Sequence, residues 1–112
     1  MESEFEYVCT DVETNGLSHK VDEILEIVAI EFDLTGKTGK VLDYLCSPMS
    51  EYIPPKVSEI NGITMDMVHD KPNYLKDGVQ KEVAEFFGDR TIVGHNVVGF
   101  DLKFIKVNPK NV

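Results

Sequence analysis

Asp11 and Glu13 stand two residues apart, directly after the first apolar run of the chain. In an extended chain, residues i and i+2 project from one face about 7 Å apart, so both carboxylates can converge on one point. Paired carboxylates at a strand end suit a hard divalent cation such as Mg²⁺ or Mn²⁺, which takes oxygen ligands. A solvated strand end running into the polar turn Thr14-Asn15-Gly16 gives the same pattern, and spacing alone leaves both readings open. Asp101 opens an apolar helical stretch, where the helix dipole by itself favours an acid. His95, beside a short apolar run, reads as a structural histidine, and His19 and His69 sit in polar loops without an assignment. Gly36-Lys37-Thr38 is not a phosphate loop, because Glu31 stands where that motif requires its first glycine.

These residues need elements to position them. Residues 5–10 read as a short apolar strand, and residues 23–34 as a longer one. The turn cluster Thr35-Gly36-Lys37-Thr38-Gly39 then returns residues 40–47 as an antiparallel partner. Pro48, Pro54 and Pro55 mark an irregular connection, and residues 56–69 carry helical signals broken at Asn61-Gly62. Leu75, Val79, Val83, Phe86 and Phe87 line one face of a helix over residues 74–87, ended by Gly88. Residues 91–94 read as a fourth short strand and residues 100–107 as a helix.

The 112 residues, at 12.6 kDa, make a single domain, 1–112. With 42% apolar and 28% charged residues the chain is an ordinary globular one, not a disordered one. Its acidic start and the absence of an apolar run of about 20 residues read as a soluble, unexported protein of the cytoplasm. Cys9 and Cys46 lie in apolar runs outside any Cys-x-x-Cys pair and read as buried thiols. The net charge of −9 argues against holding nucleic acid mainly by Lys and Arg neutralisation of phosphate. A nucleic-acid partner would need something else to bridge the two anions.

The stretch from Tyr7 to Leu17, with Asp11, Glu13, Thr14, Asn15 and Gly16, followed by residues 22–30, resembles the first motif of the DnaQ-like, DEDD-type 3′-to-5′ exonucleases, nearest their DEDDh branch. Ile60-Asn61-Gly62-Ile63-Thr64 is similar to that family's connecting segment. Val93-Gly94-His95-Asn96 with Phe100-Asp101 is similar to its second motif. The resemblance implies a ribonuclease H-like α/β fold: a mixed sheet with three antiparallel strands, a fourth parallel to the first, and helices. It implies a two-metal site of Mg²⁺ or Mn²⁺ held by Asp11, Glu13 and Asp101, metals that would also offset the charge against phosphate. Thr14, Asn15, Gly16 and Leu17 match positions that cradle and wedge the terminal nucleotide, and His95 and Asn96 match positions near the substrate strand. The expected activity is hydrolysis at nucleic-acid 3′ ends, DNA rather than RNA, of the kind served by the epsilon proofreading subunit of DNA polymerase III. Glu26 also has a family counterpart and reads as structural.

The family's third motif, a His or Tyr base ahead of a fourth metal-binding Asp, has no match: no His-x-x-x-x-Asp occurs in the chain. The domain is therefore expected to be C-terminally incomplete and weakly active, since a positioned general base contributes about 10²–10⁴ in rate. An exposed fourth strand and a wet sheet face would favour a homodimer or a complementing chain. The alternative is a catalytically impaired remnant that binds nucleic acid or protein. The second motif also carries three residues, Val97-Val98-Gly99, between Asn96 and Phe100, one more than the commonest spacing.

Overall fold

In the computed structural model, which describes residues 4–112, a four-stranded sheet is built from β1 (Tyr7–Thr14), β2 (Ile24–Phe32), β3 (Thr38–Leu45) and β4 (Thr91–Val93). The acidic start at residues 1–3 lies outside the described residues. Strand order is β3-β2-β1-β4, with β1–β2 and β2–β3 antiparallel and β4 parallel to β1. This is the mixed α/β sheet expected. Among the described residues no helix is long and apolar enough to cross a membrane.

The strand residues alternate as a half-buried sheet requires. Val8, Thr10, Val12 and Thr14 of β1 point into the core, as do Ile27 and Ala29 of β2. Against that face pack Val79, Val83 and Phe87 of helix α3 (Val79–Phe87), together with Phe104 and Ile105 of α4 (Leu102–Ile105). A smaller core of Leu25, Ile53, Ile63 and Val68 sits beneath α1 (Pro55–Asn61) and α2 (Met65–Val68). At the far end of the sheet the Glu31 carboxylate pairs with the Arg90 guanidinium and also accepts the Lys40 N–H at 2.8 Å.

The opposite sheet face is open. Cys9 and Asp11 of β1, Val41 and Asp43 of β3 and Val93 of β4 are exposed on it, and Val28 and Ile30 of β2 are only half-buried. Cys9 is therefore not a buried thiol, because its strand position faces away from the core; Cys46 is fully buried, and that burial pushes its thiol up to about 12.

Several elements differ from expectation, among them the helix read over residues 100–107, which is a π-helical turn at Val97–Asp101 followed by α4 at Leu102–Ile105. The first strand continues four residues further, through Asp11 and Glu13 to Thr14, because β2 pairs with it over that whole length. The third helix begins at Val79 and not at residue 74: Gly78 takes φ +88°, and the Asn73 side chain accepts the N–H groups of Leu75 and Lys76 in a separate turn, which leaves Leu75 exposed. The outer edge of β4 is not bare, since Asn111 bridges Thr91 in parallel and its carbonyl accepts the Ile92 N–H at 3.0 Å.

Candidate active site

The C-terminal half of β1 presents Asp11 and Glu13 on the open face, and its pairing fixes their neighbours. Glu13 stands directly opposite Glu26 of β2, and Asp11 opposite Val28, which itself faces Asp43 of β3. Like charges directly across a ladder repel, so this end of the sheet concentrates uncompensated negative charge. Burial first, then the neighbouring Asp43 carboxyl, raises the Glu26 carboxyl above its ordinary value. Asp43 is a neighbour that one-strand reasoning misses; the hairpin register, traced from Thr35-Gly36 outward, is the signal that would have found it.

Asp101 arrives from the other side. Val97–Asp101 forms a π-helical turn ahead of α4, and the Asp101 carboxylate, only 4% exposed, accepts the Val12 N–H at 3.1 Å. The π turn takes up one residue more than an α turn would, which is how the three residues after Asn96 still deliver Asp101 to β1. Gly94 permits the approach, because a Cβ there would stand 2.8 Å from the Thr10 carbonyl oxygen. Asp101 thus closes the π turn and is not the solvated first-turn acid of a helix.

The electrostatics report mutual proximity. Glu13 is raised by partial burial first, then by the charges of Asp11 and Asp101. Asp101 is raised chiefly by burial; the Val12 N–H opposes that, Asp11 adds to it, and the nearby His95 lowers it. His95 and Asn96 are both exposed, and Asn96 holds a left-handed conformation at φ 52°.

The segment after Glu13 is tied down by hydrogen bonds. Thr14 Oγ1 donates to the Gly16 carbonyl at 2.6 Å, and Asn15 Oδ1 accepts the Glu23 N–H at 2.7 Å while its Nδ2 donates to the Tyr52 carbonyl at 3.1 Å. Asn61 Nδ2 donates to the Thr14 carbonyl at 3.3 Å, so the residue after Ile60 in the connecting segment braces the loop. Leu17 projects from that loop, 86% exposed. Asn15 and Thr14 are buried, and Gly16 is crowded by the Asp22 carboxylate.

Among the described residues no group of three His, Cys, Asp or Glu side chains is arranged to hold a metal ion by itself. The donor chemistry nonetheless suits Mg²⁺ or Mn²⁺, since all three nearby acids offer oxygen and a Mg²⁺ site draws on one or two carboxylates with phosphate oxygens and water completing its shell. A surface groove of about 1220 Å³ lies at the other end of β1 around Glu31 and Arg90, away from these carboxylates.

Residues 8–112 match the RNase_T exonuclease family model. The chain belongs to that exonuclease family. It is 38% identical over 105 residues to the PolC-type DNA polymerase III of Clostridium perfringens, covering 92% of this chain and 7% of the polymerase. It is 33% identical over 99 residues to the DNA polymerase III subunit epsilon of Treponema pallidum, covering 88% of this chain and 44% of that subunit. Escherichia coli exonuclease I in complex with a dT13 oligonucleotide superposes with a TM-score of 0.77 at 25% identity, over 88% of this chain and 22% of that one. The chain therefore spans a minor part of each of these exonuclease relatives.

Proposed function

We propose that this chain is a divalent-cation-dependent exonuclease domain that hydrolyses phosphodiester bonds at nucleic-acid 3′ ends, DNA rather than RNA, in a cytoplasmic proofreading setting. The observation that carries this is the meeting of Asp11 and Glu13 on β1 with the buried Asp101: after burial, the charges of Asp11 and Asp101 raise the Glu13 carboxyl, and the charge of Asp11 adds to the rise that burial gives Asp101.

Asp11, Glu13 and Asp101 would hold Mg²⁺ or Mn²⁺. When bound, the cations supply an activated water and charge stabilisation for the leaving oxygen. The chain's own residues do the rest. Val12 orients Asp101 through its N–H, and the exposed Leu17 wedges against the terminal base. The braced loop Thr14, Asn15 and Gly16 would cradle the terminal nucleotide, and His95 and Asn96 would contact the substrate strand. The open sheet face beside the acids supports a partner, either a second copy or a complementing chain.

That open face also favours one alternative, a binding module with impaired catalysis. Cleavage of a 3′-labelled single-stranded DNA oligonucleotide in Mg²⁺ or Mn²⁺ separates the two, with a matched RNA alongside. The exonuclease reading expects stepwise shortening that is lost in Asp11→Ala and Glu13→Ala. Shortening that persists in both variants contradicts it, and metal-dependent binding without shortening favours the module.

A further inference from the structure

β3 is an outer strand of the sheet, and its free side is unguarded. The Cys46 N–H donates to the Leu25 carbonyl at 2.7 Å, which fixes the alternation of the β2–β3 ladder. Leu42 and Tyr44 turn their backbone groups to β2, and Val41 and Asp43 turn theirs outward. Thr10 Oγ1 agrees with this phase, since it donates to the carbonyl of Val28, the residue opposite Asp43, from the β1 side. Among the described residues no other element pairs with the outward N–H and C=O groups of Val41 and Asp43. Edge strands are ordinarily blunted by proline, a bulge, brevity or a covering element. β3 runs for eight residues without proline, and its pairing irregularity lies before Val41, which leaves residues 41–45 in unbroken register.

The charges on this edge choose what can pair with it. In an antiparallel self-pair the outward residues meet each other, so Asp43 faces Asp43 of a second copy, or Val41 faces Val41, or Val41 faces Asp43. The first sets like charges directly opposite and is destabilising. The last crosses at Leu42 and sets Lys40 opposite Tyr44 of the second copy, whose hydroxyl donates to Glu82 Oε1 at 2.7 Å. Lys40 lies on the same side of the sheet, near Glu85 and Phe86 of α3, and is exposed. Among the described residues it has no carboxylate within ion-pair distance. This register therefore gives Lys40 a partner, Glu82, on both sides of the axis, whereas the Val41–Val41 register sets Lys40 against Leu42. Leu42, half-buried against the main core, meets its own copy in a non-hydrogen-bonded pair, where facing side chains stand closest.

We propose that the outer edge of β3 is a self-association surface, on which a second copy of this chain adds its own β3 antiparallel, Val41 against Asp43, to make one continuous sheet. The twofold axis stands normal to the sheet, so both open faces, with Asp11 and Glu13, look the same way and neither is covered. A single strand pair makes a small interface, which belongs to the weak, transient class. The proposal goes beyond the exonuclease reading and does not depend on it.

Sedimentation equilibrium in EDTA, without nucleic acid, tests this apart from any cleavage. Salt of about 0.15 M screens the net charge of −9 on each copy beyond about 8 Å. The parent should dimerise with a dissociation constant below about 1 mM. Lys40→Glu and Glu82→Lys should each weaken the dimer about tenfold, and the two together should restore it. Val41→Pro removes an outward N–H and no hydrogen bond to β2, so it should abolish association while circular dichroism matches the parent. A nitroxide on Cys9, the exposed thiol of β1, reports which surface is used. With β3 edges paired, five inter-strand spacings of about 4.8 Å separate the two β1 strands, which sets the labels about 25 Å apart. Paired β4 edges would set them about 15 Å apart, and sheets stacked by their open faces lie about 10 Å apart. A monomer throughout to about 1 mM, a label distance of about 15 Å or less, or no rescue by the double charge reversal overturns the proposal. Self-association without cleavage sinks the exonuclease reading alone, and cleavage by a strict monomer sinks this proposal alone.

Discussion

The carboxylate of Asp101 accepts a hydrogen bond from the backbone N–H of Val12, 89 positions away, at 3.1 Å and out of contact with bulk water. This one bond joins the π turn to the middle of the acidic strand and lets the same carboxylate serve both the fold and the site. The two roles separate by substitution. Asp101→Asn keeps an oxygen for Val12 and removes a repelled charge, so its unfolding midpoint should match or exceed that of the parent while cation binding falls. Asp101→Ala leaves a buried N–H without a partner and should cost about 1–3 kcal/mol in chemical denaturation.

Stability should respond to pH in the direction set by the raised carboxyls. Glu13, Glu26 and Asp101 bind protons more readily in the fold than in the unfolded chain. Their contribution is therefore fully present below the ordinary carboxylate range and is lost as pH rises through their raised folded values. Asp33, lowered by its hydrogen bonds with Thr35, works in the opposite sense, but its window lies below that range. Without divalent cations, the thermal midpoint should fall as pH goes from about 4.5 to about 7. Mg²⁺ at neutral pH should recover part of the loss, and Glu13→Gln with Asp101→Asn should flatten the profile. A midpoint that climbs over that interval contradicts the electrostatic picture. The effect is modest because Glu13 and Glu26 are only half-buried.

Much of this arrangement is readable from the residues alone. Hydropathy alternation and the turn at Thr35-Gly36 suffice for the three antiparallel strands, and the motif residues locate Asp11, Glu13 and Asp101. What escapes is what depends on partners distant in sequence. Glu26 reads as structural until its register sets it against Glu13, and Asp43 shows no role until β3 is paired. Cys9 sits in an apolar run yet faces outward, because a run buried on one side looks the same as a run buried on both. Residues 74–78 follow the helical spacing of α3, but Asn73 and the left-handed Gly78 break the helix, a local competition that periodicity does not register. The extra residue before Phe100 looks like slack in a loop and instead forms the π turn.

The two thiols should differ sharply in reactivity. Cys9 is exposed on the open sheet face, whereas Cys46 is buried with its thiol pushed up to about 12, so it stays neutral at pH 8. Mass spectrometry after iodoacetamide treatment of the native protein should find one adduct, on Cys9, and two after unfolding. Rapid native labelling of Cys46 would contradict the packing of the core.

Gly94 should resist substitution more than its exposure implies. A methyl group there meets the Thr10 carbonyl oxygen and the Val97 side chain, so Gly94→Ala must push β4 or the π turn away from β1. We expect a loss of about 1–3 kcal/mol, as for overpacking elsewhere, with cation affinity falling in parallel because Asp101 moves with the turn. Unchanged stability and affinity would show that the close approach is not needed to place Asp101.

The most direct measurement is calorimetric titration of Mn²⁺ into the chain at neutral pH, beside Asp11→Ala, Glu13→Ala and Asp101→Asn. A site built from these carboxylates predicts binding by the parent that weakens by about tenfold or more in each variant, while circular dichroism shows all four folded. Equal affinity across the four proteins, or no Mn²⁺ binding by the parent, would contradict the site.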